Sequence, residues 1–216
     1  MDCDKLSLQN ICLSIGGKSI LRGINITIPE NKITLIYGKS GSGKTSLLNI
    51  MNFLYRPDSG EMRYNNQAVN FDNNEFIDRL RNEEIGYFHQ ELAFIENITL
   101  LENLKIFADI KNQKIDDRQL DFCLKLLDIE PLLNADISVM SGGERQRAAF
   151  VKLMLFPYAL ILMDEPTNNL DDDNIRYMME AVKLLRQKPT TIVIVSHSKK
   201  IMETADTVYN MEEINA

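Results

Sequence analysis

Gly38-Lys39-Ser40-Gly41-Ser42-Gly43-Lys44-Thr45, followed by Ser46, fits the pattern G-x-x-x-x-G-K-[ST]. Before it, Lys32-Ile-Thr-Leu-Ile-Tyr37 is apolar and rich in β-formers; after it, Ser46-Leu-Leu-Asn-Ile-Met-Asn-Phe-Leu54 spaces its apolar residues as a helix does. Strand, loop and helix therefore stand in the order that a phosphate cradle requires. Three glycines let the backbone curl so that successive N–H groups face inward, at the positive end of the following helix. Lys44 is placed to reach β- and γ-phosphates as a point charge, and the Thr45 hydroxyl to ligate Mg²⁺. A glycine-rich turn without a ligand would need neither flank.

The chain has 216 residues, 44% of them hydrophobic, which suffices for a sizeable core in one domain. Its 31 acidic and 24 basic residues leave a net charge of −7, the wrong sign for a chain whose main partner is nucleic acid, and no such partner is expected. No apolar run approaches the length needed to cross a bilayer, and Met1-Asp-Cys-Asp4 lacks the basic and apolar regions of a signal peptide, so a cytoplasmic place is expected. Cys3, Cys12 and Cys123, odd in number and far apart, suggest neither disulfides nor a zinc site. Cys123 falls on one helical stripe with Leu120, Leu124 and Leu127 and reads as packing.

Leu6 to Ile28 reads as alternating strands about a Gly16-Gly17 turn, and Pro57-Asp-Ser-Gly60 as a turn before Glu61-Met-Arg-Tyr64. An antiparallel β-layer beside the phosphate loop follows. From about residue 91 to 130 the patterning is helical, including Thr99 to Phe107 and Gln119 to Leu127. This predicts one domain over 1–216 with a helical subdomain of about 91–155 inserted in its core. Ala159-Leu-Ile-Leu-Met163 and Thr191-Ile-Val-Ile-Val195 are almost wholly apolar, as strands buried on both faces are. The fold class expected is α/β, with a mostly parallel core sheet, an antiparallel layer and a helical subdomain.

The first apolar run ends in Asp164-Glu165-Pro166, and α/β proteins place ligands at the ends of parallel strands. There Asp164 would hold a Mg²⁺-bound water and Glu165 would polarise the attacking water as a general base; two solvated loop acids are the plainer reading. The second run ends in Ser196-His197, where the imidazole is either a polar cap or a hydrogen-bonding partner for a γ-phosphate. Gln90, beyond Ile85-Gly-Tyr-Phe88, can reach Mg²⁺ or the water through its amide oxygen, while His89 reads as structural. Met140-Ser-Gly-Gly-Glu-Arg-Gln-Arg147 by itself is a helix cap followed by a charged face.

Taken in order, these residues resemble the nucleotide-binding subunit of an ABC transporter over nearly the whole chain. The phosphate loop is 38–45, Gln90 the Q-loop, Ser141-Gly142-Gly143-Glu144 the signature, Asp164-Glu165 Walker B, Asn169-Leu170-Asp171 the D-loop and His197 the switch histidine. The resemblance implies a P-loop ATPase using ATP and Mg²⁺. Glu165, His197 and Gln90 would be its catalytic set, and Thr45, Gln90 and Asp164 its metal ligands. Gly38 to Ser46 would hold one ATP. Ser141 to Glu144, with Asp171, would meet the ATP of a second ATPase subunit in a head-to-tail pair, a homodimer in the complex. An integral-membrane permease is the other partner implied, with the chain peripheral on the inner face of the cell membrane.

Departures from the family pattern are Ile15 where an aromatic ring usually stacks on adenine, Met140 for Leu, and Lys152 at a usual arginine position. Small size and Arg79-Leu-Arg-Asn-Glu-Glu-Ile-Gly86 look most like subunits serving lipoprotein release and peptide or macrolide export. On that likeness Leu92-Ala-Phe-Ile95 is a candidate dock for a permease helix, or else core of the helical subdomain. A small nucleotide kinase would share the loop but have no use for Ser141 to Glu144. A non-transport ABC ATPase would keep all six motifs and usually adds a coiled coil, zinc module or second cassette. An ATPase signalling mechanically to a membrane partner would read the same as a transport subunit.

Overall fold

The structure is a computed structural model that describes residues 3–89, 94–168 and 170–215, with backbone only at 199 and 200. In chain order the elements are β1 (Asp4–Ile15), β2 (Lys18–Pro29), β3 (Ile33–Tyr37), α1 (Lys44–Met51), β4 (Ser59–Tyr64), β5 (Gln67–Ala68), α2 (Asn74–Arg79) and β6 (Ile85–Phe88). After them come α3 (Leu100–Ile110), α4 (Asp117–Leu126), α5 (Gly142–Leu155), β7 (Leu160–Asp164), α6 (Asp172–Leu185), β8 (Thr191–Ser196), β9 (Thr207–Asn210) and α7 (Met211–Ile214).

Two sheets form, and their sequences say why. In the antiparallel one, of order β2-β1-β4-β5, the β1–β2 hairpin turns at Gly16 and Gly17, whose φ values of 59° and 77° are those a tight hairpin demands at both central positions. Leu6, Leu8, Ile11, Leu21, Ile24 and Ile28 point from it into a core shared with α1. Gly60, at φ 101°, lets β4 close on an irregular part of β1; a methyl there would lie 2.5 Å from the Asn10 carbonyl oxygen and 2.7 Å from that of Gln9. Gly60→Ala is therefore expected to cost about 2–4 kcal/mol, read as an earlier denaturant midpoint with unchanged slope.

The second sheet, β6-β7-β8-β3-β9, is parallel throughout. Its central strands are buried on both faces, as the continuous apolar runs predict, and their residues alternate between two cores. Leu160, Leu162, Val193 and Val195 join the antiparallel layer and α1, while Ile161, Met163, Ile192 and Ile194 join α3 to α6. In the helical half the Phe150 ring of α5 packs on Phe88 of β6, centroids 4.8 Å apart. Cys123 is buried among Leu120, Leu124 and Leu127, and burial pushes its thiol up to about 11.

Three features carry no clear sequence signal. Edge strand β9 is short and half-exposed, held by Asp206, which accepts the Ile33 N–H (2.9 Å) and pairs with Arg186 (2.6 Å). α2 runs into one wide turn at Leu80–Glu84, whose Glu84 accepts the Tyr64 hydroxyl at 2.6 Å and lies 3.8 Å from Lys5. The short helix α7 returns to the phosphate loop. No helix among the described residues is long and apolar enough to cross a membrane.

Candidate functional site

The loop from Gly38 to Gly43 leaves β3 and enters α1 with Gly41 at φ 79° and Gly43 at φ 100°. Gly43 caps the helix without a side chain, leaving the first-turn N–H groups turned toward the cleft. The loop is braced from two strands and from α7. Gly38 N–H donates to Ser196 O (3.3 Å), and Lys39 N–H donates to Glu212 (2.8 Å). Asn215, just beyond α7, donates to Ile20 O (2.9 Å) and Ser42 O (3.3 Å) and accepts the Arg22 N–H (2.8 Å). The Ser42 hydroxyl oxygen is buried and has no protein partner.

Lys44 is almost fully buried; its ammonium donates to Gly38 O (2.8 Å) and Lys39 O (2.9 Å) and lies 3.4 Å from Glu165 Oε1. Thr45 Oγ1 donates to Asp164 Oδ1 at 3.2 Å. Burial raises the Asp164 carboxyl above the usual range, against the Thr45 hydrogen bond and the charges of His89 and Lys44. Glu165 takes a left-handed backbone, φ 46°, fixed by its N–H to Val195 O (2.9 Å) and by Asn168 N–H to its own carbonyl (3.1 Å). That conformation, costly for a non-glycine residue, aims its carboxylate back into the cleft. Its second oxygen lies 2.9 Å from His197 Nδ1 and accepts the His197 N–H at 3.2 Å.

The loop, Glu165 and His197 line one cleft of about 800 Å³, and Asp164 stands behind Thr45 at its wall. Ile15 does not line it and stands 46% exposed; Ile20, on the next strand, does line it. Gln90 and Asn169 lie outside the described residues.

The signature residues stand apart. Neither Ser141, Gly142, Gly143 and Glu144 nor Asp171 lines the cleft. Ser141 caps α5 in a reciprocal box with Glu144. Its hydroxyl donates to Glu144 Oε2 at 2.7 Å, its N–H donates to the same oxygen at 2.8 Å, and the Glu144 N–H returns to Ser141 Oγ at 3.4 Å. These bonds hold the Glu144 carboxyl below its usual range. Gly142 faces open space, whereas a methyl on Gly143 would meet Asn174 Nδ2 at 2.9 Å. Asp171 caps α6 by accepting Asn174 N–H and Nδ2, both at 2.8 Å, and Asn174 Oδ1 accepts from Arg147 of α5. Asn174 and Arg147 therefore lock the two caps together. Sequence reading passed over both; the cap spacing from Asp171 to Asn174 was the only signal.

The family model described as ABC transporter matches residues 21–168. The chain belongs to the ABC transporter family. It is 34% identical over 208 residues to the macrolide export ATP-binding/permease protein MacB of Campylobacter jejuni, covering 95% of this chain and 32% of that protein. It thus spans about a third of the length of its macrolide-export relatives. To the lipoprotein-releasing system ATP-binding protein LolD of Saccharophagus degradans it is 33% identical over 197 residues, 89% of this chain and 86% of that one. Among solved structures, the ATP-binding cassette MJ0796, a dimer in a post-hydrolysis state bound to ADP and Pi, superposes with a TM-score of 0.83 at 27% identity, covering 95% and 93% of the two chains. The parallel sheet, antiparallel layer and helices expected from sequence are those of an ABC ATPase.

Proposed function

We propose that this chain, as one ABC ATPase domain over 1–216 with a helical subdomain of about 91–155, powers a separate integral-membrane permease from the inner face of the cell membrane. The separation of the two half-sites carries the reading. The loop, Glu165 and His197 share a cleft, with Asp164 behind Thr45, that the signature residues and Asp171 do not line, so a complete site needs a second copy of the chain. Relatives named for macrolide export and lipoprotein release favour an exporter or a lipid- or peptide-handling system.

The loop N–H groups from Gly38 to Ser46 and the Lys44 ammonium bind the phosphates of ATP, which compete with Glu165 and the loop carbonyls for Lys44. Thr45 and Asp164 offer two hard oxygens already in hydrogen-bond contact, a donor set that fits Mg²⁺, with Gln90 as a further ligand. Held by Thr45 and Asp164, Mg²⁺ would supply positive charge that offsets the charge of the phosphates. Glu165, freed from Lys44, takes a proton from the attacking water as its oxygen bonds to the γ-phosphorus and the bond to ADP breaks. His197, through Nδ1, keeps the Glu165 carboxylate aimed. From the second copy, Ser141 gives up Glu144 for the γ-phosphate at the positive end of α5, and Asp171 approaches the same junction.

Subunit mixing tests this. Lys44→Ala breaks one half-site and Ser141→Arg the other, so each variant alone should lack ATPase activity. An equimolar mixture should recover about a quarter of wild-type activity, because half the pairs are mixed and each mixed pair has one intact site. Mixtures as inactive as either variant would overturn the shared site.

A further inference from the structure

Lys152 of α5 and Lys111, just beyond α3, form an unusual pair in so acidic a chain. Lys152 Nζ lies 4.0 Å from the centre of the Phe107 ring and 5.9 Å from that of Phe94, two rings that meet edge to face. Lys111 Nζ lies 4.5 Å over the Tyr158 ring and donates to Asn82 O at 2.5 Å. Both lysines are half-buried. Burial, with the Lys111 charge behind it, lowers the Lys152 ammonium to about 8. Among the described residues no carboxylate forms an ion pair with either, although the chain holds 31 acids; Glu83 acts on Lys111 only at longer range.

An aromatic face offsets part of a cation's desolvation, about 0.5–2 kcal/mol, and a carboxylate would offset more. Among the described residues no carboxylate fills that role. Beside the pair and its rings in sequence stand two exposed apolar residues: Ile95, 51% exposed, follows Phe94, and Ile110, 69% exposed, precedes Lys111. Exposed apolar residues next in sequence to a half-buried cationic pair and its rings match an amphipathic helix that carries an acid.

We infer that Lys111 and Lys152, seated on Phe94, Phe107 and Tyr158, receive an acidic side chain from a cytoplasmic helix of the permease. This rests on the reading of the chain as a permease-driving subunit and names the chemistry of the contact. A phospholipid surface fits less well, since anionic headgroups bind basic residues spread over an open face and the chain carries −7 overall.

The intact chain can be tested by fluorescence anisotropy against labelled helical peptides of about fifteen residues. Each presents a leucine stripe and differs only in a central Glu or Gln. The Glu peptide should bind about tenfold tighter at low salt. Lys152→Met, which keeps the length of the side chain and its packing on Phe107, should abolish that preference with ATP affinity unchanged. Lys111→Met should reduce it, as a second variant should the first fold poorly. Equal binding of the two peptides, a preference that survives Lys152→Met, or Lys152-dependent capture by phosphatidylglycerol vesicles would overturn the proposal. Subunit mixing reports separately on the paired ATPase within that reading: activity restored there without a Glu preference here removes the acid receptor alone.

Discussion

Glu165→Gln should lower ATP turnover by about 10²- to 10⁴-fold while ATP still binds, and light scattering should find the variant's mass doubled only when ATP and Mg²⁺ are present. The amide matches the carboxylate in shape, so the left-handed backbone at φ 46° and the contact with His197 can persist. What it lacks is basicity. A water beside the γ-phosphate then has no acceptor for its proton, and the closed pair has no way to open through hydrolysis. The variant should also bind ATP more tightly, because the phosphates no longer compete with a carboxylate 3.4 Å from Lys44. Turnover within a few-fold of wild type would remove Glu165 as the base. A mass that stays at one chain while ATP is bound would place pairing under the permease's control.

Phe150→Ala should destabilise the chain by about 3–5 kcal/mol and lower the melting temperature by about 10 °C. Phe150 is fully buried on α5 and packs at a tilt against Phe88, two residues before Gln90. The ring joins the helix that begins at the signature to the strand that leads to the Q-loop. Calorimetry gives the loss of stability, and ATPase assays well below the transition separate it from any loss of coupling. A drop of less than about 1 kcal/mol, as for an ordinary surface change, would mean that this junction rearranges at little cost.

Much of this was legible in the chain because the determining signals are local. The two central strands announce themselves as unbroken apolar runs, the hairpin by adjacent glycines, and the phosphate loop by glycine spacing with strand and helix on either side. β9 and α7 escaped because Thr207 to Ile214 is short, half-exposed and held by partners more than 170 residues away, such as Ile33 and Lys39. The same holds for the site. Strand-end positions of Asp164, Glu165 and His197 follow from periodicity, but their mutual bonds, the unpartnered Ser42 hydroxyl and the Asn174–Arg147 lock depend on tertiary approach. Gly143 illustrates the limit. Its place in a motif suggested closeness to phosphate, and the fold adds closeness to Asn174.

The bracing of the phosphate loop by α7 has a consequence for biogenesis. Gly38 to Thr45 leave the ribosome long before Glu212 and Asn215, whose bonds close contacts over 173 to 195 residues. Contacts of such sequence separation are slow to form and wait on synthesis of the distant segment. The nascent chain therefore carries an unfinished phosphate loop until residues 211–215 have emerged and docked.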